Sequence, residues 1–243
     1  MWRKLPTLLL TLVIPAVSAC SPEVPEDSPR TARQALASRP KPAPAPAPAP
    51  QSATPLVVFL GDSLTAGLGL SEGEAYPAMV ERELRKEGQD VRILNAGVSG
   101  DTTAGGLSRL NWLLGQKPGV VVVALGANDG LRALPLEQTE KNLREIIRRS
   151  REAGARVLLL GMRIPPNYGP YADDFAAMYP RLAEEMGIPL VPFLLEGVGG
   201  DRALNQSDGI HPTAEGQEIM AKTVVPYLEE VLQVQPDGQA VVQ

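Results

Sequence analysis

The 243-residue chain has one cysteine, Cys20, and one histidine, His211. One cysteine excludes an intrachain disulfide. The two counts also exclude a zinc site built mainly from Cys and His ligands. Cys20 closes an N-terminal apolar run, so a cysteine nucleophile within a folded domain is excluded as well. If a histidine serves as a general base, it is His211. Aromatic residues make up only 4% of the chain, which argues against a surface built for stacking. Basic residues are outnumbered by acidic ones, 23 to 28, for a net charge of −5. That balance argues against a nucleic-acid partner, which demands a basic face.

A long uninterrupted apolar run is missing too. Leu5 to Ala19 is apolar but broken by Pro6 and Pro15, short of the ~20 residues of a membrane-spanning helix. Arg3 and Lys4 precede it. Residues 1–19 therefore read as an export signal rather than a transmembrane anchor. The run ends Val17-Ser18-Ala19-Cys20, which resembles the lipobox of bacterial lipoproteins. That resemblance implies cleavage before Cys20 and lipid on its sulfur. Ordinary cleavage near Ser18 and Ala19, leaving a free thiol, is the alternative. Ser21 follows the cysteine, rather than the Asp that signals inner-membrane retention in many enteric bacteria. The expected location is thus the cell envelope, at the periplasmic face of the outer membrane.

Residues 20–54 read as the anchor site and a linker. Pro40 to Pro50 alternates Pro with Lys or Ala, a pattern that favours extended polyproline and builds no core. Fully extended at ~3.1 Å per residue, it spans about 34 Å. An enzyme standing off a bilayer needs such a spacer; a ligand for an SH3-like partner is the weaker reading. Residues 55–232 read as one folded domain and 233–243 as a loose tail.

Within the domain, short apolar runs alternate with helical patterns. The expected strands are Leu56–Leu60, Val91–Asn95, Val120–Leu125, Arg156–Gly161 and Leu190–Phe193. Their Val, Ile and Leu content, apolar on both faces, suits buried parallel strands. Amphipathic stretches fall between them, over Tyr76–Glu87, Thr103–Leu114, Glu137–Ala153 and Tyr171–Met186. Each stops at a glycine, the usual helix terminator. A last helix is expected from about Thr213 to Leu232. Repeated β-α order predicts an α/β fold, a parallel sheet covered by helices on both faces.

In such a sheet, ligands sit beyond the carboxyl ends of the strands, and four loops there are distinctive. The first is Gly61-Asp62-Ser63-Leu64. Ser63 suits a nucleophile or a helix N-cap equally well. The G-x-S-x-G elbow of α/β-hydrolases is absent, because Thr65 stands at its last position. The second loop, Asn95 to Thr102, includes Gly97 and Gly100, which let backbone N–H groups approach a ligand. Alone it reads more simply as a turn into the next helix. The third, Gly126-Ala127-Asn128-Asp129-Gly130, carries a side-chain amide able to hold an oxyanion, although Asn and Asp before Gly are common turn formers. The fourth is Asp208-Gly209-Ile210-His211-Pro212. Asp and His three apart before a helix can meet through one ring nitrogen, leaving the other free as a base.

These four blocks, in order and spacing, resemble the SGNH hydrolases, also called GDSL esterases, over about residues 55–232. The segment Leu159 to Phe193, with Arg163-Ile164-Pro165-Pro166-Asn167-Tyr168-Gly169, is similar to the branch of bacterial acyl-CoA thioesterase I, lysophospholipase L1 and arylesterases. The resemblance implies a flavodoxin-like, three-layer α/β/α sandwich with a five-stranded parallel sheet. It makes Ser63 the nucleophile, His211 the base and Asp208 its orienting partner. It implies an oxyanion hole of the Ser63 and Gly100 backbone N–H groups and the Asn128 side chain, with no metal and no cofactor. Ala127 departs from the Gly that many members carry there, a methyl group that touches loop geometry rather than chemistry. The implied substrates are aryl or short-chain esters, lysophospholipids or acyl thioesters. A carbohydrate O-deacetylase and a non-catalytic lipid- or glycan-binding lipoprotein are the alternatives.

Overall fold

The computed structural model describes residues 54–233. The expected signal segment, Cys20, the linker through residue 53 and the tail from residue 234 lie outside the described residues. Strands β1 (Leu56–Gly61), β2 (Arg92–Gly97), β3 (Val120–Ala124), β4 (Arg156–Leu160) and β5 (Leu190–Val191) form one parallel sheet in the order β2-β1-β3-β4-β5. The helices are α1 (Ser63–Ala66), α2 (Tyr76–Lys86), α3 (Thr103–Leu114), α4 (Ala127–Leu131), α5 (Leu136–Glu152), α6 (Pro170–Met186) and α7 (Ala214–Gln233).

Strand order dictates the layers. The chain steps one way from β1 to β2 and the other way from β2 to β3, β4 and β5. Right-handed crossovers then put α2 on one face and α3, α5 and α6 on the other. The packing agrees: α3 lies against α5, α5 against α6, and α7 returns to pack beside α2. Four consecutive valines in β3, Val120–Val123, are fully buried between these layers, where β-branched side chains fit the pleat. Helix α5 turns Leu143, Ile146 and Ile147 inward at helical spacing.

Some elements differ from the sequence expectation. β2 is an edge strand, with Arg92 exposed and Ile93 to Gly97 only half-buried, so it is not apolar on both faces. β5 is only two residues long: Leu190 and Val191 pair with β4, and the ladder ends where the Gly161 carbonyl accepts the Leu194 N–H. The short helices α1 and α4 carry too few residues for periodicity to show. Both sit at the point that matters most. β1 and β3 are neighbours from which the chain departs in opposite directions, and the crevice at their carboxyl ends is the topological switch point. Gly61 and Gly97 are register partners at the ends of β1 and β2. A Cβ at Gly61 would collide with Thr65 and one at Gly97 with the Ala66 backbone, so the two glycines let α1 rest directly on the strand ends.

Candidate active site

Helix α1 starts immediately after β1. Its N-cap is Asp62, whose Oδ1 accepts the Leu64 N–H at 3.0 Å. Ser63 is therefore the first helical residue, not the cap, and its hydroxyl is left for other work. The Ser63 N–H has no acceptor among the described residues, and neither has the N–H of Gly100, which sits at φ +80°.

The loop before α7 brings His211 to Ser63. Gln206 fastens this loop: its N–H donates to the His211 carbonyl at 2.7 Å, and its side-chain amide donates to the carbonyls of Leu68 (2.7 Å) and Pro212 (3.0 Å). Asp208 Oδ1 accepts the N–H groups of Ile210 and His211, both at 3.0 Å, and its Oδ2 meets His211 Nδ1 at 2.7 Å. These bonds, that of the imidazole first, hold the Asp208 carboxyl down at about 2. An ionised carboxylate only accepts, so the proton sits on Nδ1 and Nε2 faces the Ser63 hydroxyl, 2.8 Å away. The His211 side chain is 16% exposed and that of Asp208 is 46% exposed. The carboxylate thus orients the ring from the solvent side, and most of its electrostatic pull is screened by water.

Asn128 enters from the other side of the switch point, on α4. Gly126 caps that helix at φ +115°, and a Cβ there would run into the Tyr179 hydroxyl, which donates to the Leu125 carbonyl at 3.0 Å. Asn128 Nδ2 donates to Asp62 Oδ2 at 3.3 Å. The turn-forming alternative for Asn128 gives way to a place on a helix, with the amide oriented by a buried carboxylate.

Sequence reading missed the groups that hold these loops together. Asp129 is buried and accepts from the Thr103 N–H (2.9 Å) and hydroxyl (2.5 Å), while Asn142 donates to the same hydroxyl at 3.0 Å. The start of α3, and with it the Gly100 loop, is thereby tied to α4. Arg109 binds the carbonyls of Ala96 (2.7 Å) and Gly61 (2.9 Å) and pairs with Asp101 at 2.8 Å. The Asn-Asp-Gly string read as a turn, which concealed Asp129. Nothing in the sequence points from Arg109 to carbonyls at the ends of two strands.

Asp62 is perturbed the opposite way from Asp208: burial raises its carboxyl to about 6 against the pull of the Leu64 and Asn128 bonds. Its folded value exceeds the unfolded 3.8. Its contribution to stability is therefore full below pH 3.8 and is lost as pH rises through about 6. An amide does not titrate. The stability of Asp62→Asn relative to wild type is thus expected to improve by about 3 kcal/mol from acid pH to pH 8. Urea unfolding of both proteins between pH 4 and 8 measures it; a difference that stays flat with pH places the Asp62 carboxyl in the ordinary range.

Ser63, Asn128 and His211 open onto a cavity of about 420 Å³. Its walls are mostly apolar, including Leu131, Met162, Ile164, Phe193 and Leu195, with Arg163 at the wall. Among the described residues no cluster of His, Cys, Asp and Glu suits a metal ion. No described helix is long and apolar enough to cross a membrane.

This arrangement has counterparts. Residues 59–219 match the GDSL-like Lipase/Acylhydrolase family. The chain is 45% identical over 184 residues to Esterase TesA of Pseudomonas aeruginosa, covering 75% of this chain and 92% of that protein. It is 40% identical over 183 residues to Thioesterase 1/protease 1/lysophospholipase L1 of Escherichia coli K12, covering 74% and 86%. The crystal structure of TesA superposes with a TM-score of 0.70 at 44% identity, over 72% of this chain and 99% of that one. The sheet order, the loops at its carboxyl edge and these likenesses agree that the chain belongs to the GDSL-like lipase/acylhydrolase, or SGNH hydrolase, family.

Proposed function

We propose that this hydrolase is a serine esterase that cleaves carboxylic acyl esters through an acyl-enzyme on Ser63. The observation that carries the reading is the hydrogen-bonded line Asp208–His211–Ser63, with contacts of 2.7 and 2.8 Å, ending at a cavity. His211 Nε2 takes the Ser63 proton as the hydroxyl attacks the acyl carbon. The negative oxygen that forms is received by the N–H groups of Ser63 and Gly100 and by the Asn128 amide. His211 returns the proton to the leaving alkoxide or thiolate. A water deprotonated by the same nitrogen then attacks the acyl-enzyme and frees the acid and Ser63.

The walls favour an acyl chain over a sugar. A carbohydrate O-deacetylase needs several polar groups for hydroxyls, whereas beyond the catalytic loops the lining offers Arg163 and an Asn205 amide already bound to two carbonyls, among Leu131, Met162, Ile164, Phe193 and Leu195. The discriminating experiment is an ester panel on the full chain, with acetyl, hexanoyl and palmitoyl esters, a lysophospholipid, an acyl-CoA and an acetylated saccharide, beside labelling with a fluorophosphonate. Hexanoyl esters turned over faster than the saccharide, with label on Ser63, are expected. Turnover of the saccharide alone turns the reading to deacetylase. No label and no turnover leave a binding lipoprotein.

The envelope location belongs to this proposal and is supported by Val17-Ser18-Ala19-Cys20. Lipid on Cys20 tethers the hydrolase to a bilayer, each buried methylene contributing ~0.8 kcal/mol and more than one chain being required for stable attachment. The residues up to 54 then act as the spacer. Cys20→Ser is expected to move the protein to the soluble fraction of a Gram-negative host with esterase activity retained. Equal soluble fractions of wild type and variant return the segment to an ordinary signal peptide.

A further inference from the structure

One charged side chain of the cavity has no part in the chemistry above. Arg163 is the only lysine or arginine among the lining residues. Its guanidinium lies 4.9 Å from the centre of the Phe193 ring, within the range of a cation–π contact. Arg163 is exposed and makes no hydrogen bond or ion pair among the described residues. The arginines of α5 behave differently: Arg144, Arg148 and Arg149 each find glutamates, and Arg151 donates to the Met186 carbonyl. The carboxylates near the site are already engaged, Asp62 by Leu64 and Asn128, and Asp208 by His211 and Ile210. At the cavity wall, then, one cation stands without a hydrogen-bonding or ionic partner among the described residues, beside a mostly apolar lining.

We propose that Arg163, held on Phe193, is a subsite for a phosphate group on the non-acyl part of the substrate; this rests on the esterase reading above. A planar guanidinium fork fits two phosphate oxygens at once, and a charge-assisted pair of this kind binds more strongly than neutral hydrogen bonds. The chain's net charge of −5 offers a phosphate no long-range attraction, so recognition has to be local. The preferred substrates are acyl esters of a phosphorylated alcohol, as in a lysophospholipid, or acyl thioesters of a phosphorylated carrier.

The test uses the full chain and two matched pairs with one acyl group. Octanoylglycerol is compared with octanoylglycerol 3-phosphate. Octanoyl N-acetylcysteamine is compared with octanoyl-CoA. The readout is the ratio of kcat/KM for the phosphorylated member over its neutral partner. Arg163→Gln is expected to lower that ratio about tenfold, mainly through KM. Arg163→Lys keeps the charge without the fork and is expected to lose less. In wild type the ratio is expected to shrink as salt rises from about 0.05 to 0.5 M, a measurement that stands even where a variant folds poorly. A fall in one pair only identifies whether the phosphate belongs to a glycerol ester or to a nucleotide carrier. Ratios within twofold of wild type in both pairs, or wild-type ratios insensitive to salt, overturn the subsite while leaving the esterase reading intact. Failure of wild type to hydrolyse any of the four overturns the esterase reading, and the subsite with it.

Discussion

Ser63→Ala and His211→Ala are each expected to lower kcat by about 10⁶, the scale set by removal of a triad serine or histidine. The Ser63 hydroxyl has one side-chain partner, His211 Nε2 at 2.8 Å, so deleting it removes the nucleophile and little packing. His211→Ala leaves the hydroxyl with no base, since the chain has no second histidine. The Asp62 carboxyl is no substitute, because both its oxygens already accept hydrogen bonds. The two residues act as a unit, so the double variant is expected to be no slower than either single one. Purified variants assayed on a hexanoyl ester, with far-UV circular dichroism to check the fold, provide the measurement. His211→Ala retaining more than about a tenth of wild-type activity removes His211 from the role of base.

The sheet and its long helices were legible because their cause is local. Val120–Val123 and the Leu143, Ile146, Ile147 stripe declare strand and helix in their own spacing. The loops carrying Ser63, Asn128 and His211 were legible as places, because the ends of parallel strands are where such a fold keeps its ligands. What stayed hidden is long-range. The tie between Asp129 and Thr103 links α4 to α3, and the tie between Asn128 and Asp62 spans 66 positions. Arg109 reaches the Gly61 carbonyl across 48. None of these contacts leaves a period or a turn signal in the sequence. β5 is shorter than expected for a related reason: Leu190 to Phe193 is suitably apolar, but the ladder stops where the Gly161 carbonyl accepts the Leu194 N–H, a contact the apolar run does not announce.

The Asn128 amide is the second group whose loss is expected to be severe. Asn128→Ala removes one of three proposed oxyanion donors and is expected to lower kcat by about 10²–10³ with a smaller change in KM, since such a donor acts mainly in the transition state. Asp62 gives this expectation a sharper form. Its Oδ2 accepts from Asn128 Nδ2 at 3.3 Å, so the carboxylate keeps the amide nitrogen, rather than its oxygen, on the side facing Asp62 and the start of α1. Asp62→Asn keeps an acceptor for the Leu64 N–H but presents two like donors to each other, and the Asn128 amide is free to turn its oxygen towards the developing charge. Asp62 is in this view a positioning residue, acting through Asn128. Asp62→Asn alone is therefore expected to lower kcat about tenfold or more, and to lower it little further in an Asn128→Ala background. Steady-state kinetics on the four proteins of that cycle measure the coupling. Additive losses in the double variant show that Asp62 acts on catalysis by a route other than Asn128. An unchanged kcat with a raised KM in Asn128→Ala moves Asn128 from the oxyanion to substrate binding.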